Sequence, residues 1–240
     1  MSTHFIADLH LQASKPELTA IFNRYLAGPA RDAHTLYILG DLFEYWIGDD
    51  GSLPEHRDNV DALAALAESG VHVFFMRGNR DFAVGPEFAR TAGLRIIDDP
   101  LLIDLYGMPT LLTHGDVLCT DDIEHQRFRA KYSDPAWRRR MLKLPKFLRR
   151  QIARSARAKS QYNTRNLSEE IMDVNELAVR NFMQEYGASR LIHGHTHRPQ
   201  IHDVALKYGN GERYVLPDWH ERQGGVLICD EHGCRQEKLI

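Results

Sequence analysis

The chain reads as an α/β protein on three observations. Five short apolar runs each end abruptly in a cluster of Asp, Asn, Gly or His. Helical periodicity fills the gaps between the first three runs. Beyond residue 199 the pattern turns to closely spaced β segments.

Taken in order, Phe5-Ile6-Ala7 runs into Asp8-Leu9-His10, and Leu36-Tyr37-Ile38-Leu39 into Gly40-Asp41. Val71-His72-Val73-Phe74-Phe75-Met76 runs into Gly78-Asn79-Arg80-Asp81. Thr110-Leu111-Leu112-Thr113 meets His114-Gly115-Asp116, and Leu191-Ile192-His193 meets Gly194-His195-Thr196-His197. Runs of this length, rich in β-branched and aromatic residues, are buried strands. Pro16 opens a helix over 16–27, with Leu18, Ile21, Phe22 and Tyr25 on one face. A second covers 55–69, with Val60, Leu63, Ala64 and Ala67 inward, and stops before Gly70. In a β-α-β-α-β series of this kind, ligands bind at the carboxyl ends of the strands, where the polar clusters fall. Further strands are expected over 200–206, 212–215, 224–229 and 235–239, with Asn210-Gly211 as a hairpin turn. Residues 121–165 read as helices interrupted at Pro145, inserted as a cap into one domain over 1–240. There Leu148, Ile152 and Ala156 form a stripe, with Arg149, Arg150, Arg154 and Arg157 largely off it.

With 240 residues, 43% apolar and 26% charged, the chain is globular and long enough for a sizeable core. Its net charge of −3 hides a division. Residues 125–165 carry 14 Lys/Arg and the single acid Asp134, a balance of +13, which leaves −16 on the rest. Cys119, Cys229 and Cys234 form no C-x-x-C pair, so neither a disulfide framework nor a zinc ribbon is indicated, and a reducing cytoplasm fits. The first residues lack a basic n-region, and no run approaches the roughly 20 apolar residues of a membrane span. Neither signal-peptide secretion nor membrane integration is expected.

The strand-end clusters pool Asp8, His10, Asp41, Asn79, His114, His195 and His197. Oxygen and imidazole donors without thiolate suit Mn²⁺, Fe²⁺ or Zn²⁺. Asp8 and His10 are two apart, as are His195 and His197, so each pair can close on one site. Seven ligands suit two ions sharing a carboxylate, and Asp41, alone on its strand, is the candidate bridge. Singly, each is an ordinary strand-end cap or turn former; five such clusters in one order are a pattern. His72 and His193 read instead as hydrogen-bonded core histidines.

In order and spacing the clusters resemble the signature of the calcineurin-like metallophosphoesterases over residues 8–197. That resemblance implies a four-layer α/β/β/α sandwich with a two-metal site. It places one ion on Asp8, His10, Asp41 and His197, and the other on Asp41, Asn79, His114 and His195. A hydroxide between the ions would attack phosphorus in line.

Where most of that superfamily has a histidine after the asparagine, this chain has Arg80. Arginine releases no proton at neutral pH but holds phosphate charge bidentately. Arg80 therefore argues for a leaving group that needs no acid, as in a phosphoanhydride; the plain alternative is a pair with Asp81. The longer strings around these clusters, together with Ile171-Met172-Asp173-Val174-Asn175, resemble the UDP-2,3-diacylglucosamine diphosphatases of lipid A biosynthesis. That resemblance implies two Mn²⁺ ions, release of UMP and 2,3-diacylglucosamine 1-phosphate, and peripheral attachment to the cytoplasmic face of the inner membrane. It implies catalytic roles for Asp41, Asn79, Arg80, His114 and His195. Substrate contacts fall on Asn79, Arg80, Asp122, Ser160 and His195, with Thr164 where relatives carry asparagine and Leu167 where some carry lysine. Arg165 or Arg157 could supply the cation that this chain does not place at 167. Phe128, Trp137, Leu142, Phe147, Ile152, Ala153 and Met172 are candidates for an acyl cleft, the plain reading of each being cap core. The basic cap suits an anionic lipid substrate and an anionic leaflet. No nucleic acid and no obligate protein partner are expected. The rivals are a phosphoesterase for soluble nucleotide anhydrides, a metal-free scaffold and a nucleic-acid binder.

Overall fold

A computed structural model describes residues 1–166, 173–220 and 223–240, the side chains of 159–166 excepted. Two sheets form the centre. The first is built from β1 (Thr3–Ile6), β2 (Thr35–Leu39), β3 (His72–Met76) and β4 (Arg95–Ile97), all parallel. The second holds β5 (Leu101–Leu105), β6 (Met108–Thr113), β7 (Arg190–His193), β8 (Gln200–Leu206) and β9 (Gly209–Val215) in the order β5-β6-β7-β9-β8. The hairpin of β10 (Gly224–Asp230) and β11 (Gly233–Leu239) returns to the first sheet, antiparallel to β1.

Strand alternation divides the core into layers. Ile6, Ile38 and Phe75 pack on α1 (Pro16–Ala27), beyond the short α2 (Asp49–Ser52) on α3 (Arg57–Glu68), and on α4 (Pro86–Thr91). Their strand neighbours Phe5, Leu39 and Met76 point the other way, against Leu112 and Ile192 of the second sheet. Leu111 and Leu191 leave that sheet on its far face, where α8 (Glu176–Glu185) contributes Val179 and Met183. Three buried clusters between four layers are the α/β/β/α sandwich that the family resemblance implies.

The basic segment forms α5 (Ile123–Tyr132), α6 (Pro135–Leu142) and α7 (Lys146–Asn166). It breaks at Asp134, whose carboxylate caps α6, as well as near Pro145.

Four expectations are corrected. The β8–β9 turn falls at Lys207–Tyr208, because Gly209 supplies the positive φ; Gly211 lies within β9, where a Cβ would strike Ser189, Leu206 and Met183. His72 begins an exposed strand end, while His193 is fully buried and hydrogen-bonds Gly194 O through Nδ1 at 2.8 Å. Leu66, not Ala64 or Ala67, completes the buried face of α3. Cys229 and Cys234 face each other across the β10–β11 hairpin, Cα atoms 4.1 Å apart, and are joined as a disulfide; register, not motif spacing, brings them together.

Candidate metal centre

Parallel β1, β2 and β3 release Asp8, His10, Asp41 and Asn79 at their carboxyl ends, and the parallel pair β6–β7 releases His114, His195 and His197. The backbone there is strained. Asp8 (φ 57°), His10 (51°), Asp41 (52°), His195 (71°) and His197 (54°) are left-handed; among the described non-glycine residues only Tyr106 joins them. Such a conformation costs an L-residue about 1–2 kcal/mol and persists only where its surroundings enforce it. Close packing does the enforcing: a Cβ at Gly78 would collide with the Asp41 carboxylate, and one at Gly194 with that of Asp8. Buried Asp81 ties two loops, accepting from Leu42 N (2.8 Å) and Phe43 N (3.3 Å) on one oxygen and Gly78 N (2.8 Å) on the other.

All seven expected donors meet. Ligand atoms of Asp8, His10 and His197 lie within 4.8 Å of one another, as do those of Asp8, Asp41 and His114. His10 and His197 stack, with Nε2 atoms 3.4 Å apart. Asn79 Oδ1 sits 3.0 Å from His114 Nε2 and 3.1 Å from His195 Nδ1. Two histidines turn Nδ1 outward to an acceptor, His114 to Leu39 O at 2.9 Å and His197 to Asp218 at 3.5 Å, while His10 Nδ1 faces Glu44 across 3.9 Å. An imidazole so held offers Nε2 to the centre.

The electrostatics fit divalent cations. Burial, with Asp41 nearby, pushes the Asp8 carboxyl up. Burial pulls His114 down, but Asp41, Asp116 and Asp8 outweigh it and lift the imidazole to about 9. Burial and the facing histidines hold His10 and His195 well below the usual range. Burial also pulls His197 down, but its contact with Asp218 and the nearby Asp8 outweigh it and lift the imidazole. Two imidazoles of the cluster are thus drawn toward the cationic form and two are held neutral; buried carboxylates here favour positive charge beside them. Among the described residues, Asp8 Oδ1 and His10 Nδ1 are buried without a hydrogen-bond partner.

Above the donors opens a cavity of about 880 Å³. His10, Asp41, Asn79, Arg80, His195 and His197 line one part, and Phe82, Phe128, Trp137, Met141, Ile152 and Ala153 line apolar wall. Leu142 and Phe147 do not line it; both are exposed on the cap. Ser160, Thr164, Arg165, Leu167 and Met172 lie outside the residues whose side chains are described. Arg80 does not pair with Asp81, whose oxygens are taken by backbone amides; its guanidinium faces Asp41 (3.9 Å) and Glu44 (3.8 Å). Asp122 caps α5, accepting from His125 N at 2.9 Å, and lines the cavity.

Sequence reasoning missed Glu44, Asp116, His125 and Asp218. Asp116 is buried and meets Tyr132, Arg129 and His125 of α5, fastening that helix beside His114. Burial raises the Asp116 carboxyl, but the His125 hydrogen bond, His114 and Arg129 outweigh it and hold it low. Asp116 stood inside a cluster already singled out, and Glu44 three residues beyond another; their spacing alone gave no reason to separate them from turn residues.

The model of the calcineurin-like phosphoesterases matches residues 1–199. The chain is 48% identical over 246 residues to the UDP-2,3-diacylglucosamine hydrolase of Stenotrophomonas maltophilia, covering 100% of this chain and 99% of that protein. It is 47% identical over 243 residues to the enzyme of that name from Aeromonas hydrophila, covering 100% of each. Among solved structures, an archaeal phosphodiesterase is 12% identical at a TM-score of 0.48, covering 100% of both chains.

Proposed function

Because the chain belongs to the calcineurin-like phosphoesterase family, we propose that it hydrolyses UDP-2,3-diacylglucosamine to UMP and 2,3-diacylglucosamine 1-phosphate, a step of lipid A biosynthesis. The observation that carries this reading is the convergence of seven oxygen and imidazole donors beside an apolar-walled cavity, in a chain whose full-length relatives bear that enzyme's name.

Asp8, His10, Asp41 and His197 would hold one Mn²⁺, and Asp41, Asn79, His114 and His195 the other. Divalent ions there lower the pKa of water and draw charge from phosphoryl oxygens. The protein's own part is placement. Arg80, always charged, sets its guanidinium against the α-phosphate and offsets the charge that develops there. The departing sugar phosphate is a weak base, so no side chain need protonate it. Phe82, Phe128, Trp137, Met141 and Ile152 take the acyl chains. Asp122, Ser160, Thr164 and Leu167 complete the substrate contacts under the cap of residues 121–165.

No described helix is long and apolar enough to cross a membrane. Phe147, Leu148 and Ile152 are exposed on α7 among Lys146, Arg150 and Arg154. An apolar edge with basic neighbours suits peripheral attachment to the anionic cytoplasmic face of the inner membrane.

The test is turnover of the lipid nucleotide against a soluble UDP-sugar, each with and without Mn²⁺, in ¹⁸O water. Manganese-dependent cleavage of the lipid nucleotide with label in UMP is expected. Label in the sugar phosphate alone would overturn attack at the α-phosphorus, and equal turnover of the soluble sugar would favour a soluble-nucleotide enzyme.

A further inference from the structure

Glu44 lies three residues beyond Asp41, on the loop that leaves β2, and only 5% of it is exposed. A buried carboxylate is costly unless its neighbours compensate it. Three cationic or imidazole groups surround this one, from three parts of the chain. His10 Nδ1 lies 3.9 Å from Oε2, and Arg80 Nη1 lies 3.8 Å from Oε1. Arg157 reaches the same Oε1 from α7, through its Nη1. Behind it the loop is fixed: Glu44 N donates to Leu11 O at 3.1 Å, so the Glu44 backbone is tied to the strand-end segment that carries His10.

The His10 contact is incomplete. Nδ1 is buried and has no hydrogen-bond partner among the described residues, and 3.9 Å is beyond hydrogen-bond range. Nε2, on the opposite edge, faces His197. A cation on Nε2 fixes the Nδ1–H tautomer, and among the described residues the only carboxylate paired with that edge is Glu44. The Arg157 contact is equally specific in place. It joins the cap helix directly to the residue behind a metal donor, far along α7 from Arg149, which anchors the helix start on Asp50.

We infer that Glu44 is a positioning residue that sets His10 for its metal ion and seats α7 through Arg157, so that metal binding and cap seating are linked. The inference rests on the two-metal reading above. By reciprocity, a cation that draws His10 toward Glu44 firms the cap, and a seated cap strengthens the metal site.

The experiment compares the intact protein with Glu44→Gln and with Glu55→Gln, which removes a carboxylate paired with Arg150 on the outer side of α7. Manganese binding is followed by the electron spin resonance of free Mn²⁺, and cap seating by amide exchange over residues 146–158. In the parent and in Glu55→Gln, two equivalents bind and Mn²⁺ slows exchange in that segment. In Glu44→Gln, one equivalent weakens by roughly tenfold or more, the other holds, and the slowing is lost. Unchanged affinities with equal protection in Glu44→Gln overturn the inference. So does a lowered melting temperature with both metal equivalents intact, which would make Glu44 a packing residue. A parent that binds no manganese would instead sink the two-metal reading.

Discussion

In the body, the strands that deliver the Asp, Asn and His cluster bury Phe5, Ile38, Phe75, Leu112 and Ile192 completely. In the cap, the most buried described residue of α7 is Arg149, while Phe147 and Ile152 on the same helix are 69% and 46% exposed. The body follows the ordinary rule and gains roughly 1.5–3 kcal/mol for each large apolar side chain removed from water. The cap inverts it. Arg149 donates to Leu144 O at 2.9 Å, to Ile47 O, and to both carboxylate oxygens of Asp50 at 2.8 and 2.6 Å. Helix α7 is fastened by polar contacts, with Lys146 on Asp50, Arg150 on Glu55 and Arg157 on Glu44 beside the buried Arg149, and its apolar edge stays exposed. The strain differs too: left-handed non-glycine residues crowd the metal loops, and none falls in the described cap. One region holds fixed positions, the other exposes an apolar edge.

Asp41→Asn tests the first half of that comparison and carries the largest expected effect. Turnover should fall about 10³-fold, a scale on which a single centrally placed charge-stabilising group acts. The melting temperature should hold or rise, because the residue is 2% exposed, near Asp8, and strained at φ 52°. A large loss of thermal stability would mean that the donors are structural first.

Arg149→Met tests the second half. The arginine is nearly fully buried but Asp50 is half exposed, so the pair is discounted for solvent screening to about 2 kcal/mol. Exchange over residues 146–158 should accelerate about 30-fold, and KM for the lipid nucleotide should rise while core-strand exchange stays slow. Equal acceleration in β2 and β3 would show that cap and body open together.

How much of this was legible beforehand follows the same division. Every side chain of the converging cluster could be named from the sequence, because each stands where a strand pattern ends, and strand ends in a parallel sheet converge. Helix α1 was legible to the residue, since Pro16 and a single apolar face fix it. The cap was legible only as a basic helical segment. Periodicity shows a stripe of Leu148, Ile152 and Ala156; it cannot show that Arg149, beside the stripe, is the residue that turns inward. That depends on Ile47 O and Asp50, about a hundred positions away. Glu44 and Asp218 were missed for a like reason, since a residue that acts by standing behind another leaves no periodic trace.

Acid should separate the two regions further. His56 is buried against the rings of Phe43 and Trp46, and burial lowers its pKa to about 4. The unfolded imidazole, near 6.5, takes up a proton that the folded one refuses, so stability falls as pH drops from about 6.5 toward 4 and is unaffected above. Its share between pH 7 and pH 5 is about 2 kcal/mol. Asp50 has the same sign in a lower window: the Arg149 hydrogen bond lowers its pKa, so the cap anchor is complete above the ordinary carboxylate range and fails only in stronger acid. Urea unfolding of the body should weaken from pH 7 to pH 5, and His56→Gln should flatten part of that slope. A slope identical in parent and variant would remove His56 from the account.

The smallest effect tests what the exposed edge of the cap is for. Phe147 lines no part of the cavity, so Phe147→Ser should leave turnover of detergent-dispersed substrate unchanged. Its loss removes apolar surface that a lipid interface would cover, worth roughly 1.5–3 kcal/mol if burial is complete. A side chain at the end of a helix near a headgroup layer is buried in part, so binding to anionic vesicles should weaken about tenfold. Removing a basic neighbour, as in Lys146→Gln, should act differently: about 1 kcal/mol near the surface, and screened by salt. The Phe147 effect should persist at high salt, because it is hydrophobic. If both effects vanish in salt, the cap meets the leaflet by charge alone, and its exposed apolar edge has another partner.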